Sequence, residues 1–309
     1  MELSIVIPIY KSKNILSELI RRIERALFQT PIKEYEIILI NDCSPDDSWQ
    51  VIEQLCNQYS FIKGINLRKN AGQHNAIMAG LNHANGQIIV MMDDDLQHSP
   101  DYIYPFYLKV NEGYDVCYTK YIKRKHTKWK IMGSILNNWT AEIFLGKPKG
   151  LYLSSFKAIT ADIKNEVIKY TGPFTYIDGL ILVITSNITT IEVEHHKRYD
   201  KGIGNYNFRL LVRLWVQMAT NFSIIPLRLA SLIGLLFSIF GFLFAIWLII
   251  GKIIFNTTPV GWSSLIVTSL VLGGVQLLTI GIIGEYIGRI YLNLNKKPQF
   301  VIKSKKNFL

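Results

Sequence analysis

In its last third the chain carries two apolar runs without a single charged residue, 229–251 of 23 residues and 260–284 of 25. Each exceeds the roughly 20 residues that take a helix across a hydrocarbon core. The connection between them, 252–259, is short and holds one lysine. Basic residues crowd the outer flanks: Lys296, Lys297, Lys303, Lys305 and Lys306 follow the second run, and Lys120, Lys123, Arg124, Lys125, Lys128 and Lys130 cluster in the preceding half. Lys and Arg collect on the cytoplasmic side of a span. The pattern therefore predicts two transmembrane helices, both termini in the cytoplasm and only the short loop outside. The +11 formal charge fits an anionic membrane surface or phosphate-bearing substrates.

The N-terminal part obeys a different period. Residues 3–9 (LSIVIPI), 36–42 (EIILIND), 62–67 (IKGINL) and 87–95 (QIIVMMDDD) read as buried strands. Between them, Leu16, Leu19, Ile20, Ile23 and Leu27 recur at helical spacing, and 48–58 and 72–84 read as further helices. This alternation predicts a parallel sheet with helices on both faces. Ligands of such sheets sit at the carboxyl ends of strands, and there lie Pro8 and Tyr10, Asp42, and Asp93 to Asp95. Farther on, 128–145 and 206–222 place aromatics broadly on one side, as interfacial helices with a basic opposite face do; an ordinary helix packed on the sheet is an equal reading for 128–145, and the span that follows 206–222 favours the interface there.

Several chemistries are disfavoured. GxGxxG and GxxxxGK[ST] are absent, against a dinucleotide fold or a P-loop NTPase. Cys43, Cys56 and Cys117 form neither a disulfide framework nor a CxxC metal site, which fits a reducing cytoplasm. The opening MELSIVIPIY is not a signal peptide. His74, His195 and His196 read as structural or solvated. Three successive carboxylates repel one another, and a hard divalent cation, which accepts one or two carboxylates and completes its shell with water and phosphate, relieves that.

These elements together resemble the family-2 glycosyltransferases, in the branch that makes polyprenyl-phosphate sugars, such as dolichyl-phosphate mannose synthase, bactoprenol glucosyltransferases and undecaprenyl-phosphate aminoarabinose transferases. The resemblance rests on SIVIPIY (4–10), IILINDCSPDDS (37–48), Asn70-Ala71-Gly72-Gln73-His74 with AIMAG (76–80), and DDDLQHSP (93–100), and on FSIIPLR (222–228), LGGVQLL (272–278) and GEYIGRIY (284–291) near the apolar runs. It implies an α/β, Rossmann-like nucleotide-diphospho-sugar transferase (GT-A) domain with interfacial helices and two C-terminal transmembrane helices. The implied division is 1–120 for the nucleotide-sugar half, 121–228 for the acceptor half, 229–284 for the spans and 285–309 for a basic cytoplasmic tail.

Residue by residue, the resemblance implies that Asp93, Asp95 and Gln97 are catalytic, with Asp93 and Asp95 holding the nucleotide diphosphate and its Mg²⁺ or Mn²⁺. Pro8, Tyr10 and Asp42 would line the nucleoside. Asp94 stands where relatives often carry Ala, and no role carries over to it. Ser155 and Lys157 stand where relatives often have Asp and Arg; Lys157, and Arg198 in the 198–206 loop, are the candidates for the acceptor phosphate. The implied reaction is inverting transfer of a hexose such as glucose from a UDP-sugar to undecaprenyl phosphate for cell-envelope glycan modification. The protein would be a multi-pass enzyme of the bacterial inner membrane with its catalytic domain in the cytoplasm, with no nucleic-acid partner and with homo-oligomerisation open. A processive polysaccharide synthase is the alternative enzyme, but its QxxRW motif is missing. A non-catalytic nucleotide-sugar binder is the alternative from another class, and the intact Asp93, Asp95 and Gln97 argue against it.

Overall fold

The computed structural model describes residues 1–121, 142, 147–173, 175–193, 225–255, 261–295 and 297–308. The expected interfacial helices at 128–145 and 206–222, together with Arg198, His195 and His196, lie outside the described residues, apart from Glu142. The chain forms two units, one of residues 1–205 with 296–309 and one of residues 206–295.

The first unit is built on an eight-stranded sheet of order β7-β5-β6-β4-β1-β2-β3-β8. Its strands are β1 (Leu3–Ile9), β2 (Tyr35–Asn41), β3 (Ile62–Leu67), β4 (Ile88–Met91), β5 (Val116–Tyr121), β6 (Lys157–Thr160), β7 (Ile188–Val193) and β8 (Ile302–Lys306). Strands β1 to β4 pair parallel around β1, as the alternating pattern predicts, whereas β6 and β8 join antiparallel and make the sheet mixed. The helices are α1 (Leu16–Phe28), α2 (Ser48–Gln58), α3 (Gln73–Leu81), α4 (Ile103–Asn111), α5 (Ala161–Val167) and α6 (Ile177–Ile184).

The period of two along β1 sorts the core. Leu3, Ile5, Ile7 and Ile9 face α1, α2 and α4 in one apolar layer, and Val6 faces α3, α5 and α6 in the other. All seven β1 residues are buried, because the strand is covered on both faces. Burying each such Leu or Ile contributes about 1.5–3 kcal/mol. The α3 layer sits close to the sheet: a Cβ on Gly80 would stand 2.5 Å from Val6 Cγ1 and 2.7 Å from Ile40 Cδ1.

Three details depart from the sequence reading. Strand β4 ends at Met91, so the acids follow the strand in a turn, with Leu96 left-handed at φ 59°. Pro8 lies inside β1 rather than in the loop after it. Met92 N–H bonds to Val6 C=O, so Pro8, of the same parity, faces the β4 side two residues beyond the last β1–β4 pair. A missing N–H costs no ladder bond there.

The third departure is the C-terminal segment, expected as a solvated basic tail. Residues 302–306 instead form β8 on the open edge of β3. Gln299 Nε2 donates to Tyr170 C=O and Gly172 C=O at 2.9 Å each, and Arg68 N–H donates to Val301 C=O at 2.7 Å. Asn307 Nδ2 donates to Cys56 C=O at 2.6 Å and Ile62 C=O at 2.8 Å. Exposure alternates along this strand, with Lys303 and Lys305 on the open face, which suits an edge exposed to water on one side.

The second unit consists of two helices, α7 (Ile225–Phe255, 31 residues) and α8 (Trp262–Leu294, 33 residues), packed on each other. α7 outruns its uncharged run at both ends, and α8, which starts two residues inside the second run, continues ten residues past Gly284, through Glu285 and Arg289. Large apolar side chains stand exposed along both, among them Phe240, Trp247, Leu265 and Leu277. Among the described residues one stretch, Val271–Leu294, is long and apolar enough to cross a membrane, and Ala230–Phe244 is a shorter apolar stretch.

Candidate active site

The loops that follow β1, β2, β3 and β4 meet at the carboxyl edge of the sheet. Each holds a residue with positive φ: Lys11 (60°), Cys43 (52°), Gly72 (85°) and Leu96 (59°). Three of the four are not glycine, and left-handed backbone at such residues costs on the order of 1–3 kcal/mol, persisting where surrounding contacts over-determine it.

Those contacts form a closed ring. From the first loop, Lys11 N–H donates to Ser44 Oγ (3.1 Å), Ser12 N–H to Ser48 Oγ (3.2 Å) and Lys13 N–H to Asp46 Oδ2 (3.3 Å). The second loop grips the third through Asp42: one carboxylate oxygen accepts from Ala71 N–H at 2.7 Å and the other from Gly72 N–H at 2.9 Å. Asn70 Nδ2 donates to Asp42 C=O at 3.1 Å. The third loop reaches the fourth through Gln73, whose Nε2 donates to Asp93 Oδ1 at 2.7 Å. The fourth returns to the first, since Asp94 Oδ2 accepts from Tyr10 N–H at 3.2 Å and from the Ser12 hydroxyl.

The acidic triplet is thus differentiated by its partners. Asp93 has a donor on each oxygen, Gln73 on Oδ1 and the Ser155 hydroxyl on Oδ2 at 2.5 Å. Burial pushes its carboxyl up to about 6, and the neighbouring Asp95 and Asp94 charges add to that against the Ser155 bond. Burial also raises Asp94, against the bonds from Ser12 and Tyr10. Asp95 Oδ1 accepts from Gln97 N–H at 3.1 Å, so Gln97 enters the site through its backbone. Asp42 is buried and its carboxyl is raised by burial, against its two backbone bonds. Tyr10 is half-exposed at 47% and available to stack on a ligand.

No cluster of three His, Cys, Asp or Glu ligands occurs among the described residues, so nothing there resembles an all-protein metal cage. The donor set nevertheless fits a hard cation that keeps water and phosphate in its shell. Asp93 and Asp95 are carboxylates two residues apart, and a hard cation accepts one or two of these. The thiols of Cys56 and Cys117, pushed by burial up to about 11 and about 12, are not nucleophiles at neutral pH.

Lys157 is placed otherwise than its expected role at an acceptor phosphate requires. It starts β6 opposite Met91 and Tyr118, is 2% exposed, and its ammonium is paired with the buried Asp178. An ammonium already neutralised inside the fold does not meet a phosphate from solution. Ser12 and Asp178 have no signal in the sequence that marks them for these contacts, whereas Gln73 lies in the 70–74 turn on which the resemblance rests. Ser155 stands where relatives often have Asp, and that position is its one signal in the sequence.

A family model described as Glycosyl transferase family 2 matches residues 4–167, which include every one of these loops. Among solved structures, glucosyl-3-phosphoglycerate synthase from Mycobacterium tuberculosis in complex with Mn²⁺, uridine diphosphate and phosphoglyceric acid superposes with a TM-score of 0.50 at 16% identity, over 71% of this chain and 76% of that one. The same enzyme with Mn²⁺, UDP-glucose and phosphoglyceric acid gives a TM-score of 0.51 at 15% identity, over 71% and 77%. At such identities the likeness is one of fold, the GT-A arrangement with its mostly parallel central sheet.

Proposed function

The chain belongs to glycosyl transferase family 2, and from that premise we propose that it transfers a hexose, glucose in the first instance, from a UDP-sugar to a polyprenyl phosphate such as undecaprenyl phosphate at the cytoplasmic face of a bacterial inner membrane. The observation that carries the lipid acceptor is the construction of the second unit. Two helices of 31 and 33 residues, lined with exposed apolar side chains, are inserted between β7 and β8 of one sheet. A chain that leaves the catalytic unit, enters a bilayer and returns as that unit's edge strand crosses the bilayer, where it crosses at all, an even number of times. Two spans satisfy that requirement, and a polyprenyl tail stays in the bilayer because each CH₂ exposed to water costs roughly 0.8 kcal/mol.

On this reading the loop ring holds the donor. Tyr10 lies under the base, and Asp42 fixes the 70–72 turn beside it through Ala71 and Gly72. Asp95 and Asp93 are the residues that would hold Mg²⁺ or Mn²⁺, which when bound offsets negative charge on the diphosphate leaving group. Gln73 and Ser155 orient Asp93, and Gln97 orients Asp95 through its N–H. The acceptor phosphate has a second pKa near 6, so it is largely dianionic at neutral pH and needs no strong general base. Its attack on the anomeric carbon expels UDP and inverts configuration. Arg198 is the proposed basic contact for that phosphate, a guanidinium suited to bidentate phosphate binding.

The test is incubation of membranes bearing the full chain with radiolabelled UDP-glucose, other labelled UDP-hexoses and undecaprenyl phosphate. A lipid-extractable product that depends on undecaprenyl phosphate is expected. Label appearing only in a polymer or a water-soluble product would overturn the acceptor assignment.

A further inference from the structure

One carboxylate of the acidic triplet is not used by the donor and cation roles above. We propose that Asp94 is a positioning residue that clasps the first loop in its donor-binding shape through Ser12 and the Tyr10 backbone, so that donor affinity, and not cation affinity, depends on it. The proposal rests on the donor-site reading.

Four consecutive backbone N–H groups, Tyr10 to Lys13, are each taken by a side-chain oxygen. Ser44, Ser48 and Asp46 of the second loop take three of them, and Asp94 takes the Tyr10 N–H. Asp94 is thus the contact that joins the first loop to the acidic loop. The same oxygen, Oδ2, also accepts from the Ser12 hydroxyl, so one carboxylate oxygen fixes the residues on both sides of Lys11. Lys11 is the left-handed one, at φ 60°. A non-glycine residue relaxes from that region when its flanks are freed. Relaxation there moves Tyr10, the exposed aromatic residue of the loop. Asp93 accepts from Gln73 and Ser155, and Asp95 Oδ1 accepts from the Gln97 N–H. The acid that holds the loop is therefore distinct from the two that would hold the cation.

The test uses the full chain in detergent. UDP and UDP-glucose binding is measured by calorimetry in Mn²⁺, and transfer to undecaprenyl phosphate is followed across a Mn²⁺ titration. Asp94→Ala and Ser12→Ala are each expected to weaken UDP-glucose on the order of ten-fold, as loss of a charge-assisted hydrogen bond does. The Mn²⁺ midpoint should stay at the wild-type value. The double variant should be no weaker than Asp94→Ala alone, because the two residues share one interaction. Asp94→Asn keeps an oxygen acceptor and should retain most of the affinity. A Mn²⁺ midpoint displaced in Asp94→Asn as far as in Asp95→Asn would make Asp94 a cation ligand and overturn the proposal, as would wild-type donor affinity in Ser12→Ala. Wild-type protein that binds neither UDP nor UDP-glucose would overturn the donor reading itself.

Discussion

Lys157 and Asp178 form an ion pair inside the fold, and the Tyr118 hydroxyl donates to the same Asp178 oxygen at 2.9 Å while its ring lies 5.2 Å from the Lys157 ammonium. The pair joins β6 to α6, and through Tyr118 it joins both to β5. Breaking a buried pair leaves an uncompensated charge at a cost of about 3–5 kcal/mol. Asp178→Ala is therefore expected to lower the melting temperature on the order of 10 °C, measured by thermal unfolding in detergent. Lys157→Met with Asp178→Leu should recover much of that loss, since an apolar pair of similar volume is often neutral. Stability unchanged in Asp178→Ala would mean that the pair is not formed.

That pairing is not visible in the sequence. Lys157 and Asp178 are 21 residues apart with no periodicity connecting them, and a lysine after a matched motif looks the same whether buried or exposed. Other features were legible. The two faces of β1 follow from alternation, and the run lengths bring Asp42 and the acids close to the carboxyl ends of β2 and β4, although these strands stop at Asn41 and Met91 and the acids follow them. The loop geometry was hidden for a local reason. Left-handed backbone is usually announced by Gly or Asn, and here Lys11, Cys43 and Leu96 occupy it under tertiary control. The C-terminal strand was hidden as well, because five residues with three lysines read as a basic tail until the open edge of β3 is known.

A pH effect on stability follows from Glu36. It is 1% exposed, 2.7 Å from Lys63 Nζ, and accepts from Ser4 Oγ at 2.6 Å and Asn85 N–H at 2.7 Å. Burial raises its carboxyl, but the bonds from Lys63, Ser4 and Asn85 outweigh that and leave it below the ordinary value. A depressed folded pKa contributes stability above the unfolded value, about 4.3 for Glu, and loses it as pH falls through the folded pKa. Urea unfolding from pH 7 downward should show this loss below about pH 4.3. Glu36→Gln should be less stable at pH 7 and show a flatter acid limb; an unchanged limb would assign the titration elsewhere.

Glycine 86 is predicted to tolerate no side chain. Its N–H donates to Ser4 Oγ at 2.8 Å, and a Cβ would lie 2.5 Å from Ser4 N and 2.7 Å from Leu3 C. Those atoms are backbone of the central strand and cannot rotate away. Gly86→Ala should cost about 1–3 kcal/mol or more, as overpacking does, read as a lower urea midpoint. Gly113→Ala makes a useful contrast, since nothing stands within 4 Å of its added Cβ and only its φ of 103° opposes the change.

The cation assignment predicts that chelation with EDTA abolishes transfer and that Mn²⁺ or Mg²⁺ restores it. Asp95→Asn replaces a hard anionic oxygen by a neutral amide. It should remove transfer and the cation dependence of UDP-glucose binding while leaving the melting temperature near that of the wild type. Cation-dependent donor binding that survives in Asp95→Asn would move the ligand role to another residue.

The strand pairing of β8 with β3 makes the membrane topology testable at two positions. Gly64 to Leu67 register against Lys306 to Ile302, so the segment after α8 sits on the same sheet that begins with Leu3. If the catalytic unit is cytoplasmic, Lys303 is cytoplasmic too, and the 252–259 connection is the part that reaches the far side. Among the native thiols Cys43 is exposed while Cys56 and Cys117 are buried, so Cys43→Ser gives a quiet background. In that background Thr257→Cys should react with a membrane-impermeant maleimide on intact cells. Lys303→Cys, exposed on the strand, should react only after lysis. Reaction of Lys303→Cys on intact cells would place the sheet outside. Protection of Thr257→Cys until lysis would mean that α7 and α8 lie along the membrane surface instead of crossing it, and the lipid acceptor would then have to be met by an interfacial route.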